Sequence, residues 1–281
     1  VFNQKYVAHV QITVAEEEGV GTGAGYYEQA GALGDMVQNH MLQLLSLVAM
    51  EPPHSLDADV IRDEKLEILQ SLRPLTGEAI DANVVRAQYT GFLTEEGVAP
   101  RSRTETFVAL QVFVDNWRWS GVPFFLRTGK HLSRRASEIC IQLKDVPPIL
   151  FNVDPAKRLT PNVLEIRIQP DEGFSLGISC KRPGPHLGVA PVKMDFHYGE
   201  QFGASSSPEA YERLLLDVMH GDPTLFMRRD AVETAWRWVM PILERWNERK
   251  SEPLPTYPAG DWGPTEANRL IEAEGRQLRP M

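Results

Sequence analysis

The sequence predicts an α+β fold in which a large, mainly antiparallel β-sheet carries helices on one face. Six strand candidates follow one another in the middle of the chain with no helix of useful length between them, which favours antiparallel pairing over βαβ crossovers. Several of them alternate apolar and polar side chains, which indicates one covered face. Segments with helical periodicity lie before and after this block. The six candidates span residues 107–114, 123–127, 137–143, 163–168, 173–178 and 192–196.

The N-terminal part of the sequence predicts one strand and two helices. Residues 6–14 alternate and are rich in β-branched side chains, which is typical of a strand. Residues 31–50 repeat apolar side chains at three- and four-residue steps and predict a helix that the following prolines stop. Residues 57–72 predict a second helix. Residues 75–103 are expected to be irregular apart from a short strand at 84–89.

Helical periodicity returns near the C-terminus. Residues 210–219 and 230–246 each predict a helix, and the second opens with Asp230. The tail after Lys250 is rich in proline and glycine, so we expect it to wrap the surface.

One titratable side chain, His40, falls in the apolar stripe of the predicted 31–50 helix, beside Val37 and Met41. A histidine held there would be partly desolvated and fixed in orientation, which suits a general base near neutral pH. The residues alone also allow a core histidine with no catalytic role. Asp35 lies near the helix start, where a carboxylate meets the positive end of the helix dipole. It is about 140° from His40 around an α-helix, so we do not expect the two to pair.

Composition bounds the partners of the chain. A net charge of −9 argues against nucleic acid, although a few converging cations could still bind an anionic substrate. The longest apolar run, residues 42–50, is interrupted by Gln43 and Ser46 and is too short to cross a membrane. Cys140 and Cys180 lie in strand-like runs, and we expect buried free thiols in a reducing cytoplasm. The histidines show no paired spacing, so no metal site is expected.

Several long strings resemble glucose-6-phosphate dehydrogenase and occur in that family's order. The resemblance covers almost the whole chain, but it is only to the C-terminal, substrate-binding portion of the family. We therefore expect residues 1–281 to form a glucose-6-phosphate dehydrogenase C-terminal-like domain. The strings are ITVAE at 12–16, DMVQNHMLQ at 35–43, NWRWSGVPF at 116–124, RTGK at 127–130, EIRIQP at 165–170, AYERLLLD at 210–217, GDPTLF at 221–226 and WGPTE at 262–266.

The resemblance implies a dinucleotide-binding domain that we expect to be absent from this chain. We find no glycine-rich turn between a first strand and helix, and the cluster Gly19–Gly25 is more typical of a flexible loop. The family's RIDHYLGK string, which supplies phosphate-binding side chains, is missing too. The start at Val1, directly before a strand, suggests a truncated chain, a proteolytic product or a sequence that is limited to ordered residues. The site for NADP or NAD is therefore expected in the missing N-terminal domain, and this chain alone is expected to be inactive.

The family's reaction oxidises glucose 6-phosphate to 6-phosphogluconolactone, the first step of the oxidative pentose phosphate pathway. By resemblance, His40 is the catalytic base that takes the proton of the C1 hydroxyl. Asp35 and Glu16 match carboxylates that accept hydrogen bonds from sugar hydroxyls. Without the resemblance, Asp35 is a helix-start charge and Glu16 an ordinary surface acid.

The resemblance also assigns residues to the phosphate group of the substrate. Lys130 and Arg135 match its basic contacts, and Gln169 matches a glutamine near the substrate. Without the family, these residues form a basic loop and a plain strand end. The partners implied are glucose 6-phosphate and further copies of the chain, as a homodimer or homotetramer formed through the other face of the sheet.

The sequence departs from the family at several positions. Gly34 and Gly23 stand where members usually carry arginine, so this member is expected to bind more weakly. The best alternative function is a non-catalytic sugar-phosphate-binding or assembly module derived from the same fold. Some eukaryotic members have a structural NADP site in the sheet domain, and we expect it to be missing here. Its positions hold Ala136, Cys140, Ser175 and Gly177.

Overall fold

The computed structural model describes residues 2–147, 159–185, 188–203, 210–272 and 275–276. Nine strands form one sheet in the order β8-β7-β6-β5-β1-β4-β3-β2-β9. Only the β1–β4 and β2–β9 pairs are parallel, and the other six described pairs are antiparallel. The predicted α+β fold with a mainly antiparallel sheet is confirmed. The strands are β1 (Val7–Ala15), β2 (Val84–Tyr89), β3 (Phe107–Phe113), β4 (Pro123–Gly129), β5 (Ala136–Leu143), β6 (Val163–Gln169), β7 (Gly173–Lys181), β8 (Val189–His197) and β9 (Thr256–Tyr257).

All six strand candidates of the central block are strands. The largest differences are at β7, which ends three residues later than predicted, and at β8, which begins three residues earlier. The order of the strands in the sheet differs from their order along the chain. β1 lies between β4 and β5, although 107 residues separate β1 from the start of β4. The position of β1 between β4 and β5 creates the parallel β1–β4 pair, and it determines which strand ends lie side by side.

The helices in the described ranges comprise eight α-helices, a 3-10 turn at Gly21–Gly23, a π-helix at Leu33–Met41 and a further 3-10 turn at Phe92–Thr94. Four of these α-helices were not predicted: α1 (Ala24–Ala32), α4 (Glu78–Asn83), α5 (Tyr198–Phe202) and α8 (Thr265–Glu272). The glycine cluster expected to be a flexible loop instead forms the first 3-10 turn and the start of α1. Packing stabilises α1 despite its two glycines, since Ala24 and Tyr27 are buried. The α-helices are α1 (Ala24–Ala32), α2 (Leu42–Ala49), α3 (Ala58–Gln70), α4 (Glu78–Asn83), α5 (Tyr198–Phe202), α6 (Ala210–His220), α7 (Arg229–Glu248) and α8 (Thr265–Glu272).

The main core lies between the sheet and the π-helix, which contacts β1 and β4. Ile12, Leu126 and Ile139 stand side by side in the register, point to one face and are buried. The opposite face is polar at Thr13 and Arg127, and these are buried as well.

The C-terminal tail differs from its prediction. Instead of wrapping the surface, it adds β9 and α8 and buries Tyr257 and Ile271. The Trp262 ring lies 5.3 Å from the guanidinium of Arg127, and therefore covers the polar face of the sheet. The tail therefore packs against the sheet and shields the polar side chains on that face from solvent. None of the helices that the structure describes is both long and apolar enough to cross a bilayer.

Candidate active site

Four of the six predicted site residues meet at one edge of the sheet. β1 and β4 run parallel with Ala15 opposite Gly129, so the next residues, Glu16 and Lys130, leave the sheet together. β5 runs antiparallel to β1 and begins opposite Ala15, which places Arg135 at the same edge. Because β6 ends opposite the start of β5, Gln169 joins them.

Glu16 and Lys130 form an ion pair. Lys130 Nζ lies 2.8 Å from Glu16 Oε2, and the side chains are 13% and 34% exposed, Lys130 being the less exposed. Their backbones are fixed, since the amide of Glu16 donates to the carbonyl of Gly129 and the amide of Lys130 to that of Thr106. An ammonium group has three donors, so a pair with one carboxylate leaves capacity for a second anion. Lys130 is thus held in place but not saturated.

The ring of Tyr27 forms the floor beneath Lys130. Lys130 Nζ is 4.9 Å from the ring centroid, a cation–π distance, and Tyr27 is buried. The pKa of the Tyr27 hydroxyl is raised well above its ordinary value, by burial first and then by carboxylates that include Glu16 and Asp35. Tyr27 therefore lies between the sheet edge and the first turn of the π-helix. Sequence reasoning missed this tyrosine because nothing in its spacing distinguishes it from Tyr26.

Gly129 allows Lys130 to leave the end of β4. A Cβ atom at Gly129 would lie 2.7 Å from the Phe107 ring and 3.4 Å from Leu132. Any side chain would displace the aromatic ring behind the sheet edge.

Arg135 and Gln169 form the second contact of the edge. Arg135 Nη2 donates to Gln169 Oε1 at 3.2 Å, and both side chains are exposed. Arg134 is exposed as well, and it has no described contact with Gln169. The edge therefore presents two cations, Lys130 and Arg135, each already oriented by a neighbour.

His40 is exposed, which contradicts its predicted place in the apolar stripe. Residues Leu33–Met41 form a π-helix, whose i→i+5 hydrogen bonds place more residues in each turn than an α-helix has. The buried positions advance by four residues from Leu33 to Val37 and on to Met41, so His40 rotates out of the stripe. Its Nε2 lies 3.4 Å from Nδ2 of Asn39.

Asp35 occupies the first turn of the π-helix. In a helix with i→i+5 hydrogen bonds, residue 40 lies about one turn after residue 35. Asp35 and His40 therefore lie on the same, solvent-facing side of the helix, and not about 140° apart as an α-helix would place them. Asp35 Oδ1 accepts a hydrogen bond from the Tyr26 hydroxyl at 3.3 Å, and its charge raises the pKa of that hydroxyl. π-helical turns occur often at functional sites, which fits the position of both residues.

Glu105 caps the helix that carries Asp35 and His40. Its carbonyl accepts from the amide of Ala32, and its Oε1 accepts from the amide of Leu33 at 2.9 Å. Burial raises the pKa of this carboxyl to about 7, against the lowering effect of the Leu33 amide. The helical geometry is interrupted at Gly31, just before the cap, because its φ is +60°. A Cβ atom at this position would collide with the carboxyl group of Glu105. Sequence reasoning missed Glu105 because it is 72 residues from Leu33.

A metal site is not apparent in the part of the chain that the structure describes. No three of its His, Cys, Asp and Glu side chains are grouped so that they could hold an ion.

Residues 1–279 match the family model for the "Glucose-6-phosphate dehydrogenase, C-terminal domain". The chain belongs to this family. It is 49% identical to a glucose-6-phosphate 1-dehydrogenase of Mycolicibacterium smegmatis, over 99% of this chain and 57% of the relative. It is 47% identical to one of Rhizobium meliloti, over 98% of this chain and 58% of the relative.

Solved structures of the family have the same fold. Glucose-6-phosphate 1-dehydrogenase from Mycobacterium avium matches with a TM-score of 0.84 and 37% identity, over 100% of this chain and 58% of that one. A glucose-6-phosphate dehydrogenase in complex with its substrate glucose-6-phosphate matches with a TM-score of 0.89 and 32% identity, over 99% and 57%. The chain spans less than three fifths of the length of the curated relatives described above.

The two glycines that replace family arginines have different surroundings. A Cβ at Gly34 would lie 3.3 Å from the Trp236 ring, so a side chain there requires this tryptophan to move. A Cβ at Gly23 would meet nothing within 4 Å. The structure therefore gives a packing reason for the glycine at position 34 and none for that at 23.

Proposed function

We propose that this chain is the substrate-binding part of a glucose-6-phosphate 1-dehydrogenase, which oxidises glucose 6-phosphate to 6-phosphogluconolactone. The supporting observation is the convergence of Glu16, Lys130, Arg135 and Gln169 on one sheet edge. Lys130 and Arg135 bind the phosphate group of the sugar, and Gln169 orients Arg135. One of the matching solved structures is a complex with its substrate glucose-6-phosphate, which supports the choice of substrate.

The reaction removes a hydride from C1 and a proton from the C1 hydroxyl. His40 takes the proton, because hydride loss becomes easier as the oxygen gains negative charge. Its exposure on the π-helix leaves the imidazole free to reach a bound sugar. Asp35 lies on the same side of that helix and accepts a hydrogen bond from a sugar hydroxyl, while Glu16 accepts another from the sheet edge.

NADP or NAD accepts the hydride when bound, at a site that we place in a part of the complete protein outside this chain. The described residues do not fit a coenzyme-phosphate cradle of the βαβ type. β1 is followed by the Gly21–Gly23 turn and by α1, but the next strand in the chain is β2, three places away in the sheet. No step is therefore assigned to these glycines.

Exposed apolar side chains at the far end of the sheet support self-association as a homodimer or homotetramer. Phe174, Val192 and Met194 are 44%, 46% and 50% exposed, on the face that also carries Ile12. The π-helix covers that face near β1, whereas at β8 the short helix α5 contacts it, through the rings of Tyr198 and Phe202. This position departs from the expectation that the opposite face would supply the contact.

The proposed chemistry is tested in the complete cytoplasmic protein, with NADP and NAD reduction as the readout. His40→Gln is expected to lower kcat by about 10²-fold or more while the affinity for glucose 6-phosphate is retained, as for loss of a general base. His54→Gln, the same substitution at an exposed histidine outside the site, is the matched control and should keep most of the activity. Full turnover by His40→Gln would reject the base. Sugar-phosphate binding without any turnover in the unmodified protein would favour the non-catalytic module.

A further inference from the structure

A second cluster of cations lines a cavity that the proposed reaction does not use. The cavity has a volume of about 240 Å³, and Arg86, Arg103 and Lys250 contribute to its wall. Lys130 and Arg135 do not line it. The wall also includes Gly31 and Glu105, at the start of the helix that carries Asp35 and His40.

None of these three cations has an acidic partner at ion-pair distance among the residues that the structure describes. No ion pair within 4 Å involves Arg86, Arg103 or Lys250, although most other partly buried arginines of the chain have one. The Nε atom of Arg103 is buried and has no hydrogen-bond partner. Arg86 instead stacks on the Trp246 ring, 4.6 Å from its centroid.

The nearby carboxylates are otherwise engaged. Glu252 accepts from Arg249 Nε at 2.6 Å, and Glu105 caps the helix through Leu33. Burial lowers the pKa of Arg86, and the positive charge of Arg103 lowers it further. The carboxylates of Glu105 and Glu252 act in the opposite direction. Arg86 and Arg103 therefore line one cavity wall and repel each other, and Glu105 and Glu252 offset part of this repulsion.

We propose that this cavity binds a small phosphate-bearing anion between Arg86 and Arg103, with Lys250 at its rim and Trp246 as its apolar wall. Guanidinium groups present paired donors that match phosphate oxygens, and two of them with a lysine offset a multivalent anion. Small-molecule pockets usually exceed about 300 Å³, so this volume suits phosphate or pyrophosphate better than a nucleotide.

The proposed site contacts the start of the π-helix that carries Asp35 and His40. Gly31 lines the cavity and directly precedes Ala32, and Glu105 contributes both to the cavity wall and to the helix cap. An anion beside Glu105 favours the protonated carboxyl and so alters the charge at the cap. This coupling is a consequence of the site and not a condition for it.

The test measures pyrophosphate binding by titration calorimetry at low ionic strength in a Lys130→Ala/Arg135→Ala background. This background removes the proposed substrate-phosphate contacts, so failure here is distinct from failure of the proposed function. Adding Arg86→Gln/Arg103→Gln is expected to weaken binding at least tenfold. Arg101→Gln/Arg134→Gln, which removes two exposed arginines outside the cavity, is the charge-matched control and should change affinity less than twofold.

Three results would overturn the proposal: no pyrophosphate binding in the background protein, no loss with the cavity substitutions, or an equal loss with the control pair. Circular dichroism checks that each variant is folded. If the double cavity variant does not fold, Lys250→Gln replaces it, because this side chain is exposed. A several-fold loss of affinity in Lys250→Gln supports the site, and unchanged affinity rejects it.

Discussion

Lys130 and Glu16 are paired at 2.8 Å because β1 and β4 run parallel and end in the same register. Two oppositely charged side chains therefore leave adjacent strand ends in the same direction. The pair keeps the ammonium oriented over the Tyr27 ring. In the proposed function, the sugar phosphate shares this ammonium with Glu16.

The pair is expected to contribute little to stability. Since Glu16 is about one third exposed, solvent screens the interaction, and exposed pairs contribute about 0–1 kcal/mol. Urea unfolding of Lys130→Ala should therefore show a loss in that range, part of it from the contact with Tyr27. A loss above about 3 kcal/mol, the scale of a broken buried pair, would mean that Lys130 is structural.

Replacing Gly31 by alanine is expected to destabilise the protein by about 1–3 kcal/mol or more, because φ is positive there and the new Cβ meets the Glu105 carboxyl. Gly25→Ala is the matched control: it lies in α1, and its Cβ meets nothing within 4 Å. It should be neutral or slightly stabilising. Thermal unfolding compares the two, and equal melting temperatures would contradict the contact between Gly31 and Glu105.

The raised pKa of the Glu105 carboxyl predicts a specific pH dependence of the free energy of unfolding. The folded-state pKa of about 7 lies above the ordinary value of 4.5, so between these values the folded state binds more protons than the unfolded state. Its contribution to stability therefore falls as pH rises from 4.5 to about 7 and is constant on either side. The total change is up to about 3 kcal/mol.

Glu105→Gln removes this titration but retains an oxygen for the Leu33 amide. The free energy of unfolding of the variant, relative to the original protein, should thus rise across the same pH window. Urea unfolding at pH 4.5, 6 and 8 measures it. A difference that does not vary with pH would show that this carboxyl does not titrate near 7.

Local patterns predicted more of this protein than long-range contacts did. Strand-like apolar runs located β3 to β8 within a few residues, although β4 buries both faces rather than the single face that alternation indicates. The position of β1 between β4 and β5 depends on pairing across more than 100 residues, and no local pattern encodes it.

The same limit applies to the candidate site. The strings of the family predicted Glu16, Lys130, Arg135 and Gln169 as site residues, and the topology explains why these four residues meet. His40 was predicted on the wrong side of its helix, because periodicity assumes 3.6 residues per turn and the π-helix departs from it. Tyr27 and Glu105 act through contacts with residues far along the chain or on another element, so neither has a signal of its own.

Self-association is expected to depend on the exposed apolar end of the sheet. Met194→Lys places a charge beside Phe174 and Phe196, whose rings stack at 5.0 Å, and should shift the mass measured by light scattering towards that of the monomer. Val218→Lys on α6 is the control, because Val218 is an exposed apolar residue away from the sheet. If Met194→Lys leaves the mass unchanged, this surface is not the contact.

The central claim, that this sheet edge binds a sugar phosphate, is tested most directly by calorimetric titration of glucose 6-phosphate into two variants. Arg135→Ala removes the guanidinium that contacts Gln169, and Arg134→Ala removes an equally exposed neighbour with the same charge. Hydrogen bonds to charged groups contribute about 1.5–3 kcal/mol, so Arg135→Ala should weaken binding by about tenfold or more. Arg134→Ala should stay within about twofold, since a screened surface charge contributes little. Equal effects of the two substitutions, or unchanged affinity in Arg135→Ala, would contradict the claim.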